Sequence, residues 1–128
     1  MKLLKFGGKS LDDGQGIVQV LSIITDNYAQ GEAPVVVVSA RGATTDTLLE
    51  LIAQAQEGKP YEDALARFWI YQQGNTSLHF EQERELLARL LLGISLLGEC
   101  SPQVEDEIIS LGEVISSQFV AYQLQQRG

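Results

Sequence analysis

Four consecutive valines, Val35–Val38, set between Pro34 and Ser39, constrain this chain more than any other feature. β-Branched side chains favour a pleated strand over a helix. A run without polar alternation predicts a strand buried on both faces, as in parallel sheets covered by helices. A parallel partner has to arrive through a crossover, usually a helix. Leu3-Leu4-Lys5-Phe6, ended by Gly7-Gly8, reads as that partner strand and its turn. Ser10 then offers an N-cap, with Asp12 and Asp13 in the first turn. Ile17, Leu21, Ile24 and Tyr28 follow at helical spacing, and the helix should end near Gly31. Residues 2–39 therefore predict one strand–helix–strand unit.

The remainder reads as helices. Thr44 or Thr45 caps one that carries Leu48, Leu51, Ile52 and Ala55 and stops at Gly58 and Pro60. A third carries Tyr61, Leu65, Phe68 and Trp69 and ends at Gly74-Asn75. A fourth runs from about Ser77 to Leu97 and is closed by Gly98, with Glu81, Glu83 and Glu85 on a solvated face. Ser101-Pro102 pairs an N-cap with a proline at the first helical position. The last helix follows, striped by Val104, Ile108, Leu111, Ile115, Phe119 and Tyr122.

Charge and composition exclude several functions. Nine Lys and Arg against seventeen Asp and Glu give a net charge of −8, which argues against nucleic acid or an anionic membrane as partner. Cys100 is the single cysteine, so no intrachain disulfide forms. His79 is the single histidine, which rules out a multi-histidine zinc site. The apolar run before Lys5 falls short of the roughly 7–15 residues a signal peptide needs. Leu86–Leu97, interrupted by Arg89 and Ser95, falls short of the roughly 20 needed to span a bilayer. These features lead to the expectation of a cytoplasmic protein.

Three segments could carry chemistry. In Lys5-Phe6-Gly7-Gly8-Lys9-Ser10, a strand, two glycines and a helix start are the parts of a phosphate cradle, because glycine lets backbone approach phosphate oxygens. Lys5 at the strand end could neutralise charge on a transferring phosphoryl group. Gly8-Lys9-Ser10 mimics the tail of a P-loop, but the glycine required five positions earlier is Leu3, inside the strand, and that reading fails. Ser39-Ala40-Arg41-Gly42-Ala43-Thr44-Thr45-Asp46 follows the second strand, at the sheet edge where open α/β proteins bind ligands. On local grounds alone, capping is the simpler role for Thr44 and Thr45. In Ser110-Leu111-Gly112-Glu113, a mid-helix glycine costs about 0.8–1.0 kcal/mol relative to Ala, so Gly112 implies close approach of a neighbour or a ligand. Glu113 sits off the apolar stripe, where its carboxylate could accept from an ammonium group.

In this order the three segments resemble aspartokinases, of the amino acid kinase family. The resemblance rests on Lys5–Ser10, on Val37-Val38-Ser39-Ala40 with Thr45 downstream, and on Ser110–Glu113 followed by Ser116-Ser117. Gly93-Ile94-Ser95-Leu96-Leu97-Gly98-Glu99-Cys100 is similar to the branch fused to homoserine dehydrogenase. The resemblance implies an α/β chain, the N-terminal portion of a three-layer αβα amino-acid-kinase-like fold with parallel strands and about five helices. Residues 1–128 would be the first part of a catalytic domain. It also implies transfer of the ATP γ-phosphoryl to the side-chain carboxylate of L-aspartate, with Mg2+ brought by the nucleotide. Lys5 would be catalytic. Lys5, Gly7, Gly8, Lys9, Ser10 and Ser39 would meet the ATP phosphates, and Thr45 and Glu113 would hold aspartate. Two residues depart from the family pattern: Lys9 replaces a Thr or Ser, and Arg41 stands where smaller residues are usual. The family's later Gly-rich segment has no counterpart before Gly128, so a fragment without turnover of its own is expected. The alternatives are a degenerate interaction module, or a kinase of glutamate, carbamate or a nucleotide, against which Thr45 and Glu113 weigh.

Two strands with five helices leave apolar strand edges and helix faces uncovered, and such patches seek partners. Homo-oligomers are the expected outcome. Sedimentation at high micromolar concentration should show species larger than the monomer, and a strictly monomeric profile would contradict this.

Overall fold

β1 (Leu3–Phe6) and β2 (Val35–Val38) pair in parallel, Leu3 opposite Val35 and Phe6 opposite Val38. The computed structural model describes residues 2–31 and 33–127. A 3-10 turn (Gly8–Leu11) and α1 (Gly14–Ala29) connect the strands. Four helices follow: α2 (Thr44–Gln56), α3 (Glu62–Gln73), α4 (Glu81–Leu97) and α5 (Pro102–Arg127). A parallel α/β unit with five helices is thus present, and the chain is predominantly helical.

The apolar side chains collect in two cores. Leu4, Phe6, Val36 and Val38 face Val20, Leu21 and Ile24 of α1 and Val120 of α5. The second core joins α2 to α5, with Leu48, Leu51, Trp69, Leu87, Leu91, Ile108 and Ile115 buried in it. α5 is long enough to serve both. Trp69 is core, as its position in a helical stripe implied, with its ring stacked on Phe80.

The valine run behaves differently from expectation. α1 and α5 lie on the same side of the sheet, so only that side is covered. On the other, Leu3, Val35 and Val37 remain 66%, 43% and 44% exposed. The sequence signal for two-sided burial is real, but these helices supply one layer.

Helix starts also moved. Ser10 lies inside the 3-10 turn, and Asp13 caps α1 instead, accepting from Gly16 N at 2.7 Å. Leu11, fully buried, anchors the turn between strand and helix and delays the helix. Ala43 occupies the cap position of α2, and neither threonine caps that helix. α4 starts at Glu81 rather than near Ser77, because Phe80 takes a left-handed conformation (φ 51°) that buries its ring. Ser101 caps α5 as expected, accepting from Val104 N at 3.2 Å. Tyr28 is exposed rather than inward, and Glu83 is buried against Gln118 rather than solvated.

Gly112 marks where α5 crosses the end of β2. A Cβ there would lie 2.9 Å from Ala40 Cβ and 3.2 Å from Thr44 Cγ2. The expected close approach is therefore real, and it is made by side chains of the β2–α2 turn. Gly112→Ala gains helix propensity of about 1 kcal/mol but overpacks a contact, at a cost of about 1–3 kcal/mol. Urea denaturation should show no net stabilisation for Gly112→Ala, and Gly112→Val should be clearly less stable than either.

Candidate functional site at the carboxyl edge of the sheet

The turns after β1 and β2 leave the same edge and are tied together through backbone. Ser39 N donates to Phe6 O at 3.0 Å, which extends the ladder one residue. Gly42 N donates to Gly8 O at 2.9 Å. A Cβ on Gly8 would lie 2.5 Å from the Ala40 carbonyl oxygen, so only glycine allows the turns to come this close. Gly42 has φ +51°, and a side chain there would strike Asp12 and the Tyr71 hydroxyl. Gly8 and Lys9 open the 3-10 turn, so their amides have no acceptor earlier in that turn.

The candidate residues surround this joint. Gly7 is exposed and extended at the start of the turn. Lys5 is exposed on the uncovered sheet face, in register with Val37. Lys9 and Ser10 are exposed and line a separate open cleft with Asp13 and Gln19 at the start of α1. Ser39 is half-buried between the strands' ends. Thr44 is buried, and its Oγ1 accepts from Gln72 Nε2 at 2.8 Å. Thr45, one residue on, is exposed, and capping does not consume its hydroxyl. Glu113 is exposed directly after Gly112, on the helix that touches Thr44. Gly8, Ser39 and the start of α2 are thus brought together, with Glu113 on the helix packed against them. Lys9 and Ser10 point their chemistry into a different cleft.

Behind the joint lies Arg41, which the sequence marked only as a departure from the family pattern. Arg41 is only 5% exposed. Its Nε donates to Leu11 O at 2.9 Å, and its Nη1 donates to Gln72 O at 3.3 Å and Tyr71 O at 3.5 Å. Its guanidinium lies 3.8 Å from the Phe119 ring centre and 4.8 Å from that of Tyr71. Tyr71 and Gln72 belong to the last turn of α3, whose carbonyls are left open and partially negative. That turn has no basic residue of its own, so Arg41 supplies the cation from 30 residues away in sequence. Burial lowers the Arg41 pKa, and Tyr71 and Asp12 oppose that shift. The Tyr71 hydroxyl donates to Asp12 Oδ1. Burial, then this bond, push the phenol up to about 12. An arginine in a small-residue turn was a visible signal; Tyr71 and Gln72 carried none.

Two glycine turns meet at the carboxyl edge of parallel strands, with a lysine on one strand, and that edge is where open α/β proteins bind ligands. A sequence model of the amino acid kinase family matches residues 1–128. The chain belongs to the amino acid kinase family. It is 30% identical to aspartokinase 2, chloroplastic, of Arabidopsis thaliana, over 94% of this chain and 24% of that protein. It is 31% identical to a bifunctional aspartokinase/homoserine dehydrogenase of Buchnera aphidicola, over 91% of this chain and 16% of that one. E. coli aspartokinase III in complex with aspartate and ADP superposes with a TM-score of 0.66 at 26% identity, covering 99% of this chain and 29% of the enzyme. The chain spans about a quarter or less of the length of these curated relatives.

The phenol gives a pH test. Unfolded tyrosine titrates near 10 and folded Tyr71 near 12, so between these values the folded state keeps a proton that the unfolded state has lost. Stability from this group is complete below about pH 10 and declines as pH rises through that window. Urea midpoints should fall more steeply for the native chain than for Tyr71→Phe between about pH 10 and 12; parallel profiles would refute the assignment.

Proposed function

We propose that this chain is part of the catalytic domain of an aspartate kinase: the part that meets the ATP phosphates and one side of L-aspartate. The observation that carries this reading is the Gly8–Gly42 contact, which presents the free amides of one turn beside the start of α2. Phosphoryl transfer depends mainly on positioning and charge neutralisation, and these residues are suited to both. The amides of Gly8 and Lys9 would receive phosphate oxygens. The Lys5 ammonium, on the open face, would neutralise charge as the side-chain carboxylate of aspartate displaces ADP from the γ-phosphorus. Thr45 at the start of α2 would donate to the substrate's α-carboxylate, favoured by the helix dipole. Glu113 would accept from its ammonium group. Ser39 would border the phosphates.

Among the described residues no group of three or more His, Cys, Asp or Glu is placed to hold a metal ion. Mg2+ would arrive on the nucleotide and be held by its phosphates. Among the described residues no helix is long and apolar enough to cross a membrane. We place the protein in the cytoplasm, as a homo-oligomer, in the branch fused to homoserine dehydrogenase. The relatives support the substrate: solved aspartokinase III holds aspartate and ADP.

Titration of the chain with ADP and with L-aspartate, followed residue by residue by NMR, tests the reading. ADP should move Gly7, Gly8 and Ser39, and L-aspartate should move Thr45 and Glu113 more than L-glutamate does. Lys5→Ala should weaken ADP binding far more than Lys9→Ala. The reverse order would revive the Gly-Lys-Ser loop reading and overturn the assignment of Lys5.

A further inference from the structure

A cavity of about 350 Å³ lies between α2 and α3, and none of the eight residues assigned to ATP or aspartate lines it. That volume falls at the small end of ligand pockets, about 300–1,000 Å³. Its charged groups are Asp12 and Glu50 on one account and Arg67 on the other. Phe68 and Tyr71 supply apolar wall. Gln72 is 1% exposed and also lines it. Its Nε2 is committed to Thr44 Oγ1 at 2.8 Å, which leaves its Oε1 buried without a partner. An unpaired buried acceptor is costly, so the wall formed by Gln72 is incompletely satisfied.

The lining asks for a particular chemistry. Glu50 and Asp12, whose Oδ1 also accepts from the Tyr71 hydroxyl, call for a donor with several N–H groups, which an ammonium provides. One guanidinium calls for a carboxylate. Aromatic walls call for an apolar body between them. We propose that this cavity binds a small zwitterion with an apolar side chain, of the α-amino acid class. The site lies behind the nucleotide edge and is independent of the aspartate kinase reading. It nonetheless touches that edge at two points: Asp12 directly follows the 3-10 turn, and Thr44 directly precedes Thr45.

The test is an NMR titration of the chain with L-leucine, with isoamylamine (no carboxylate) and 4-methylpentanoate (no ammonium) as matched probes. L-Leucine should give saturable shifts at Thr44, Thr47 and the Gln72 side-chain amide. Glu50→Gln and Arg67→Gln, both exposed positions, should each weaken L-leucine about two- to fivefold, the loss expected for a partly exposed charge pair. Isoamylamine should bind more weakly than L-leucine and be insensitive to Arg67→Gln. Absence of saturable shifts overturns the site. Equal binding of isoamylamine overturns the zwitterion. Shifts centred on Thr45 and Glu113 instead would place L-leucine at the proposed aspartate site and overturn the second cavity. The ADP and L-aspartate titrations report on the kinase reading separately, so either proposal can fail alone.

Discussion

The Arg41 guanidinium lies where the two cores of the chain meet, and the geometry of the site depends on it. A cation 5% exposed would be expensive without partners. Here the partners are the open carbonyls at the ends of two helical elements, the 3-10 turn and α3, together with two aromatic faces. Each open carbonyl would otherwise be a buried unsatisfied acceptor. One side chain thus closes two helix ends and fixes the distance between them. Among the described residues no carboxylate lies within ion-pair distance of it; Asp12 accepts from the Tyr71 hydroxyl and opposes the effect of burial on Arg41 from farther off. The turn bearing Gly8 is consequently tied to the helical core as well as to its own strand.

α5 and the sheet explain why the edge is both rigid and open. Gly112 lets α5 lie against Ala40 and Thr44, which sets the start of α2 and leaves Thr45 and Glu113 facing outward. Farther along, Val120 of the same helix covers one face of the sheet. The other face, with Leu3, Lys5, Val35 and Val37, has no cover. Lys5 is exposed on that face in register with Val37, which leaves its ammonium available at the open edge. The exposed valines are also the part of this molecule best suited to further packing, since sheet faces of this composition are normally covered.

Much of this was legible in the sequence. Four valines and Leu3–Phe6 called for parallel strands, and the helical stripes located all five helices to within a few residues. Ser101-Pro102, Gly74 and Gly98 marked helix ends correctly because those signals are local: a hydroxyl, a proline and a positive φ act within one turn. The signals at Ser10 and Thr44 misled because tertiary contacts prevailed over them, and Thr45 lies one residue inside a helix whose cap position is Ala43. Buried Leu11 held the first turn back, and Gln72 took the Thr44 hydroxyl.

The sequence by itself determined the strand–turn–helix order, the family resemblance and the residue types offered to phosphate and substrate, because these are written in short windows of chain. Only the tertiary structure decided which hydroxyls stay free, which glycines allow backbone contact, and what Arg41 does. Those outcomes depend on residues about 30 or more positions apart, such as Arg41 with Tyr71 and Gly8 with Gly42. Contacts across such separations are fixed by packing, not by local preference. The same reason left the valine run half covered: its composition reports how much burial it favours, and only the placement of α1 and α5 on one side determines how much it receives.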